Sequence, residues 1–123
     1  MRGLQDKTTI VPGGASRIGV AVAAAFRSHG SNVVIADIDE AGCRAHEAKG
    51  IAFIKADLRA DHDIAATVAF AKERYGRIDF LVNVAATYLD NGADSRRLDW
   101  LAALDVNLVG SVMLIQAARA ELA

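Results

Sequence analysis

Three glycines and a carboxylate have the types and spacing that could bind a nucleotide. Gly13, Gly14 and Gly19 lie in a short turn after the apolar run at residues 9–11. Glycine lets a backbone turn sharply and approach a ligand closely. The helix predicted after the turn would direct unpaired N–H groups and a partial positive charge at whatever occupies it. The turn is therefore a candidate seat for a pyrophosphate, with an ordinary tight turn as the alternative.

Asp37 ends the second predicted strand, about 18 residues after Gly19. Dinucleotide-binding folds place a carboxylate near this separation, where it accepts hydrogen bonds from the adenosine ribose hydroxyls and repels a 2′-phosphate. We therefore interpret Asp37 as selecting NAD over NADP, with the start of a turn as the alternative. Asp39 competes for this role but is better explained as a helix cap. Asp57 ends the third predicted strand and is either an acceptor for the adenine amino group or a loop residue.

These residues lie at the junctions of strands that alternate with helices. Apolar runs predict strands at residues 9–11, 32–36, 51–54 and 78–82. Amphipathic patterns predict helices at residues 18–29, 39–49, 61–75 and from about Ser95 to the end, with a loop at residues 87–94. The alternation indicates right-handed βαβ units and a parallel sheet in one α/β domain over residues 1–123. On the last helix, the apolar stripe expected to face the core is Leu101, Leu104, Leu108, Val112, Ile115 and Leu122.

Composition narrows the classes of partner and compartment. Hydrophobic residues make up 53 % of the chain, and the formal net charge of −1 gives no electrostatic reason to expect a nucleic acid or an anionic membrane surface. The longest unbroken apolar run is residues 20–26, so we expect neither a membrane span nor a signal peptide. The single cysteine, Cys43, excludes an internal disulfide and fits a cytoplasmic location. The histidines lack metal-ligand spacing with Cys43, so we expect no metal site.

Several segments, in order along nearly the whole chain, resemble the short-chain dehydrogenase/reductase family. The matching segments are the TGxxxGxG turn at residues 12–19, the NAD-selecting acid at Asp37, the adenine-contacting pair Asp57-Leu58, the fourth strand with its NNAG motif at residues 76–86, and the helix segment with the catalytic asparagine at residues 106–110. The resemblance implies a Rossmann-type doubly wound parallel sheet. This chain would form its first half, with strand order 3-2-1-4 and flanking helices.

The resemblance also implies a set of site residues. The residues implied to bind NAD are Gly13, Ser16, Arg17, Ile18, Gly19, Asp37, Ile38, Asp57, Leu58, Asn83, Ala85 and Val106. Asn107 would be the only member of the family's catalytic tetrad in this chain, where it would orient a water molecule beside the catalytic lysine. The alternative for Asn107 is a polar residue that bends a long helix.

Two residues of the turn depart from the family pattern. Pro12 replaces the usual threonine and removes a hydroxyl that helps to fix the turn. Arg17 replaces the middle glycine and is strained if its position requires a positive φ. Its guanidinium could reach a cofactor phosphate, and a solvated arginine at a helix start is the alternative. Ser16 stands where relatives that prefer NADP tend to carry a basic residue, in agreement with Asp37.

The resemblance implies hydride transfer between NAD and a secondary alcohol or ketone. The family's tyrosine and lysine form a YxxxK motif, which neither Tyr75 nor Tyr88 fits. We therefore expect the chain to be the cofactor-binding half of a longer enzyme, inactive alone, and to form a homodimer or homotetramer through its last helix. One alternative is a truncated, non-catalytic nucleotide-binding or interaction module. A second is a methyltransferase, against which the segments around Asn83 and Asn107 argue.

Overall fold

The computed structural model describes residues 3–87 and 92–122. Its strands are β1 (Thr8–Pro12), β2 (Asn32–Asp37), β3 (Ala52–Lys55) and β4 (Phe80–Leu81). Its helices are α1 (Arg17–Ser28), α2 (Glu40–Arg44), α3 (Asp61–Tyr75), α4 (Arg97–Leu104) and α5 (Gly110–Ala118). Short 3-10 turns occur at Glu47–Lys49 and Gly92–Asp94, and a π-helical segment, Asp105–Val109, joins α4 to α5. Strands and helices alternate as the sequence predicts.

The four strands form one parallel sheet in the order β3-β2-β1-β4, which confirms the predicted order. The central pair is in register from Thr8 opposite Asn32 to Pro12 opposite Ala36. All five residues of β1 are buried, as expected for a strand of a parallel sheet that is covered on both faces.

Successive residues of the central strands face opposite sides of the sheet, so two cores form. On one side, Val11, Val33 and Ile35 pack with Ala23 of α1 and Cys43 of α2. On the other side the residues in contact are Ile10, Val34, Ala52, Ala71 and Ile78, with α3 as the covering helix. The sheet is therefore doubly wound, as predicted.

Local hydrogen bonds explain where the helices begin. The Ser16 hydroxyl accepts a hydrogen bond from the Gly19 N–H at 3.0 Å and caps α1. The Asp39 carboxylate accepts one from the Gly42 N–H at 3.0 Å, which confirms its prediction as the cap of α2. α3 begins at Asp61 as predicted, and Gly76 ends it with a φ of +77°.

Two predicted elements are shorter in the structure. The helix expected over residues 39–49 ends at Arg44, because the chain turns back at His46, whose carbonyl accepts hydrogen bonds from the N–H groups of Lys49 and Ile51. The strand expected at residues 78–82 is regular only at Phe80–Leu81. Its backbone nevertheless continues to bond β1, from the Asp79 N–H to the Thr8 carbonyl and from the Val84 N–H to the Pro12 carbonyl.

The predicted core stripe of the last helix is wrong. Leu101, Leu104, Leu108, Val112 and Ile115 are each 40–56 % exposed. The buried residues of α5 are Gly110, Leu114 and Ala118. Small residues let α5 approach its neighbours closely, since a Cβ on Gly110 would lie 2.8 Å from the Leu58 carbonyl oxygen. Only Leu122 of the predicted stripe packs against a core cluster.

The same helical stretch bears on the expectation of no membrane span. Within the described residues, Arg97–Ala118 is long and apolar enough to cross a bilayer by length and composition alone, with a mean hydropathy of 1.6. Helices of water-soluble folds pass the same test. Here α5 packs on α3, where Leu114 contacts a cluster that includes Leu58 and Ile64.

The loop predicted at residues 87–94 is described only at Thr87 and at the turn Gly92–Asp94, so residues 88–91 lie outside the described part.

Candidate nucleotide-binding site

An open cavity of about 800 Å³ lies at the carboxyl ends of the strands. In doubly wound sheets this edge is where ligands bind. Most of the predicted site residues line it, namely Gly13, Ser16, Arg17, Ile18, Asp37, Ile38, Asp57, Leu58, Ala85 and Val106. Gly19, Asn83 and Asn107 do not line it. The tertiary structure therefore brings the glycine turn and both predicted carboxylates into one concave surface.

The three glycines allow the turn to pack tightly. Gly13 has a φ of +79°, and a Cβ there would lie 2.5 Å from the Ala85 nitrogen. A Cβ on Gly14 would overlap the side chain of Ile35, and one on Gly19 would overlap the Gly13 carbonyl. The glycines thus hold α1 against β2 and against the segment after β4. Gly19 is buried below the turn, and it contributes by leaving room for the Gly13 carbonyl.

Two backbone donors remain open where α1 begins. The Ser16 hydroxyl is already used, because it accepts from Gly19 and donates to the Gly13 carbonyl at 2.7 Å. Across the described part of the chain, the N–H groups of Arg17 and Ile18 have no acceptor. Arg17 is helical, so the strain expected for a positive φ is absent. Open N–H groups at the start of a helix can donate hydrogen bonds to a phosphate oxygen.

The Asp37 carboxylate is held in place by two backbone N–H groups. Its Oδ2 accepts from the Ala15 N–H and its Oδ1 from the Asp39 N–H, both at 3.0 Å. Asp37 therefore begins a turn, as the alternative interpretation predicted, and it also lines the cavity. Each oxygen keeps a further lone pair, so the carboxylate can accept hydrogen bonds from a diol. Its position is fixed before any ligand arrives.

Asp57 is committed to a neighbour that the sequence reasoning missed. Its two oxygens are held by the Arg59 guanidinium, with the Nη2–Oδ2 distance at 2.8 Å and the Nε–Oδ1 distance at 3.1 Å. Hydrogen bonds from the Arg59 side chain hold the pKa of Asp57 below its usual range. An adenine amino group would have to share this carboxylate. Arg59 also lines the cavity, and the acid–x–arginine spacing directly after a strand was the available signal.

The two predicted asparagines connect elements around the cavity. The Asn83 side-chain amide donates to the Ser111 hydroxyl of α5. The Asn107 side chain accepts from the Thr87 N–H at 2.7 Å and donates to the Thr87 carbonyl at 3.0 Å. Asn107 lies in the π-helical segment, a geometry frequent at functional sites. The water-orienting role of Asn107 stays a prediction, and so does the alternative of a polar residue that bends a long helix.

Cys43 is buried in the core beneath the site. Burial, followed by the charge of Asp37, raises the pKa of the Cys43 thiol to about 11. The thiol is therefore a packing residue of the first core and not a nucleophile. Over residues 3–87 and 92–122, no group of three or more histidine, cysteine, aspartate or glutamate side chains is placed to hold a metal ion.

The sequence matches a known protein family over most of its length. Residues 13–123 match the family described as enoyl-(acyl carrier protein) reductase. L-fucose dehydrogenase of Oryctolagus cuniculus is 34 % identical over 116 residues, which cover 91 % of this chain and 41 % of that protein. Human 3-hydroxyacyl-CoA dehydrogenase type-2 is 30 % identical, with 98 % of this chain and 50 % of that protein covered. The chain thus spans about half the length of the curated relatives it matches.

Solved structures of similar proteins have the same fold as this chain. A short-chain dehydrogenase/reductase from Brucella melitensis, described as a glucose/ribitol dehydrogenase, is 35 % identical and superposes with a TM-score of 0.88. The match covers 96 % of this chain and 52 % of that one. A 3-ketoacyl-(acyl-carrier-protein) reductase from the same organism, solved with NADH, also superposes with a TM-score of 0.88 but is 24 % identical, so it supports the fold alone.

Proposed function

Because this chain belongs to the short-chain dehydrogenase/reductase family, we propose that it is the cofactor-binding half of an NAD-dependent oxidoreductase. The intact protein would transfer hydride between the cofactor and a secondary alcohol or ketone. The family uses nicotinamide cofactors, so the choice of NAD and the class of substrate are the specific parts of the proposal.

The geometry of Asp37 is the observation that carries the choice of NAD. Its carboxylate is fixed by the Ala15 and Asp39 N–H groups, lines the cavity, and lies on the strand next to the glycine turn. A carboxylate in this place accepts hydrogen bonds from the two ribose hydroxyls of NAD. It would repel the additional phosphate of NADP, whose charge has the same sign.

The residues around the cavity fit a dinucleotide. The open N–H groups of Arg17 and Ile18 would hold the pyrophosphate, and Asp37 would hold the adenosine ribose. Leu58 and the backbone around Ala85 would form apolar walls. When bound, the nicotinamide ring supplies the hydride acceptor or donor. This chain's own residues bind and orient the cofactor and exclude water from part of it.

We assign proton transfer to residues outside these 123, since the YxxxK motif does not occur among them. The chain alone would therefore bind the cofactor without turnover. Within the chain, Asn107 would position the loop at Thr87, to whose backbone it is bonded twice. We place the protein in the cytoplasm, where a reduced Cys43 would persist.

The exposed apolar face of the last helix supports the proposal of a homodimer or homotetramer. This face consists of five apolar residues that are 40–56 % exposed, namely Leu101, Leu104, Leu108, Val112 and Ile115. Grouped exposed apolar residues are typical of an interaction surface, whereas single ones are not. Burial against the rest of a longer chain would use part of the same face. Sedimentation of the intact protein measures the oligomeric state directly.

Equilibrium titration of the intact protein with NADH, NADPH and S-adenosylmethionine tests the proposed function. We expect NADH to bind more tightly than NADPH and S-adenosylmethionine not to bind. Oxidation of secondary alcohols, followed through nicotinamide absorbance, then tests catalysis. Binding of NADH without turnover on any alcohol or ketone would instead support the non-catalytic module. Binding of S-adenosylmethionine alone would support the methyltransferase and overturn the proposal.

A further inference from the structure

We infer that the side chain of Arg17 binds the cofactor directly and that its guanidinium supplies a positive charge that holds the pyrophosphate. This inference deepens the proposed function and rests on it. The family pattern has a glycine at this position, where the backbone comes close to the ligand. In this chain the position carries a long cationic side chain instead. A charge contact would thus take over from close backbone approach.

The charges at the helix starts are the first observation that supports a bound anion. α2, α3 and α4 each carry an acidic residue in the first turn, which offsets the positive end of the helix dipole. α1 carries none and begins on a cation, Arg17. A cation at this end is unfavourable until an anion binds beside it. The start of α1 therefore has no acidic residue of its own at the mouth of the cavity, and the nearby Asp37 carboxylate is bonded to the Ala15 N–H.

The lack of internal partners is the second observation. In the part of the chain that the structure describes, the Arg17 side chain has no hydrogen bond or ion pair, whereas Arg59 and Arg77, in the loops after β3 and α3, each pair with a carboxylate. The N–H groups of Arg17 and Ile18 are open as well. The Ser16 hydroxyl cannot donate to a phosphate without giving up its hydrogen bond to the Gly13 carbonyl. These open donors belong to two residues that line the cavity, Arg17 and Ile18.

The backbone geometry removes the competing explanation of strain. Arg17 is the first residue of α1 and has no positive φ, so a side chain is accommodated at this position at no backbone cost. Its side chain is exposed and lines the cavity. A guanidinium can bind two phosphate oxygens at once, which a glycine backbone cannot do. The substitution therefore changes how the phosphate is held and does not disrupt the turn.

The target is the pyrophosphate and not a 2′-phosphate. Arg17 stands at the N-terminus of α1, beside the open N–H groups that suit a bridging phosphate. Asp37 would hold the ribose hydroxyls, and its carboxylate disfavours a phosphate there. Arg17 should therefore strengthen the binding of any ligand with a pyrophosphate and should not by itself favour NADP.

Binding of ADP and of adenosine to the intact protein tests this inference, because ADP carries the phosphates and adenosine does not. Arg17→Gln should weaken ADP and NADH binding about 10- to 100-fold, the effect expected for loss of one charged hydrogen-bonding group. Adenosine binding should stay within about twofold of the wild type. Without ligand, the Tm of Arg17→Gln should equal or exceed that of the wild type, because an unfavourable charge at the helix start is removed.

Arg97→Gln is the matched control. Arg97 is also the exposed first residue of a helix, but it lies outside the cavity lining, and α4 carries Asp99 in its first turn. The control should bind ADP and adenosine as the wild type does. Unchanged ADP affinity in Arg17→Gln, or tighter binding in Arg17→Gly, would overturn the role of Arg17 while leaving the proposed function in place. A wild type that binds neither NADH nor ADP would overturn both.

Discussion

Replacing Asp37 with alanine should reduce the protein's preference for NADH over NADPH. The carboxylate oxygens each accept one backbone hydrogen bond at 3.0 Å and keep a lone pair for one ribose hydroxyl. Only the contact to the 2′-hydroxyl distinguishes NADH from NADPH, and one hydrogen bond to a charged group is worth about 1–3 kcal/mol after the exchange with water. Since 1.4 kcal/mol is about a factor of ten, the ratio of the two dissociation constants should change by about 5- to 150-fold.

The ratio is the quantity to measure, by fluorescence titration of the intact protein with both reduced cofactors. The alanine also leaves the N–H groups of Ala15 and Asp39 without their acceptor, which loosens the turn for either ligand. Because that loss affects NADH and NADPH alike, it cancels in the ratio. What remains is the interaction of the carboxylate with the 2′ position.

Asp39→Ala is the matched control. Asp39 also lines the cavity but caps α2 through the Gly42 N–H. Its replacement should lower the free energy of unfolding by about 1 kcal/mol and leave the cofactor ratio unchanged. Preference for NADPH in the wild type, or a ratio that moves in Asp39→Ala and not in Asp37→Ala, would refute the reasoning.

Three further outcomes follow from packing and burial. Gly13→Ala should lower the free energy of unfolding, measured in urea, by at least about 1 kcal/mol more than Gly76→Ala does. Both glycines have φ near +78°, but only at Gly13 would an added Cβ have backbone atoms within 4 Å. Equal losses in the two variants would contradict this. Cys43, with its pKa raised to about 11, should resist a thiol reagent at pH 8 until urea unfolds the protein, and fast native labelling would disprove its burial. Burial, followed by the charge of Lys49, lowers the pKa of His46. The unfolded state therefore binds the proton first, and the stability from His46 is present above about pH 6.5 and is lost as the pH falls through the lower folded pKa. His46→Gln should flatten the dependence of the free energy of unfolding between pH 7 and 5, and an unchanged slope would contradict it.

Much of the fold could be predicted because its signals are local. The apolar runs of β1 and β2 and the glycines at helix ends depend on neighbours in the chain, and their alternation predicted a parallel sheet. The strand order 3-2-1-4 was implied by the resemblance to the family and is confirmed by the structure. The predicted cap at Asp39 is likewise a contact within a few residues. The place of Asp37 at the end of β2 needed only the length of the intervening helix and turns.

Other features of the site depended on packing between distant segments. Arg59 was missed because its importance comes from the cavity that it lines and from its ion pair with Asp57. Neither property can be inferred from the residue type alone. The strain expected at Arg17 was not found, since whether a position needs a positive φ is decided by how the turn enters α1. The two hydrogen bonds of Asn107 to Thr87 join residues 20 apart in sequence.

By itself, the sequence determined the alternation of elements, the glycine turn and the acid that follows it, because each is set by spacing along the chain. Only the tertiary structure decided which side of the last helix is buried. That helix is apolar around much of its circumference, so hydrophobicity favoured the stripe that contains Leu101, Leu104 and Leu108, which are exposed. The side that packs is the one where Gly110 and Ala118 let two backbones come close. The face that packs combines close approach at these small residues with the burial of Leu114 between them in sequence.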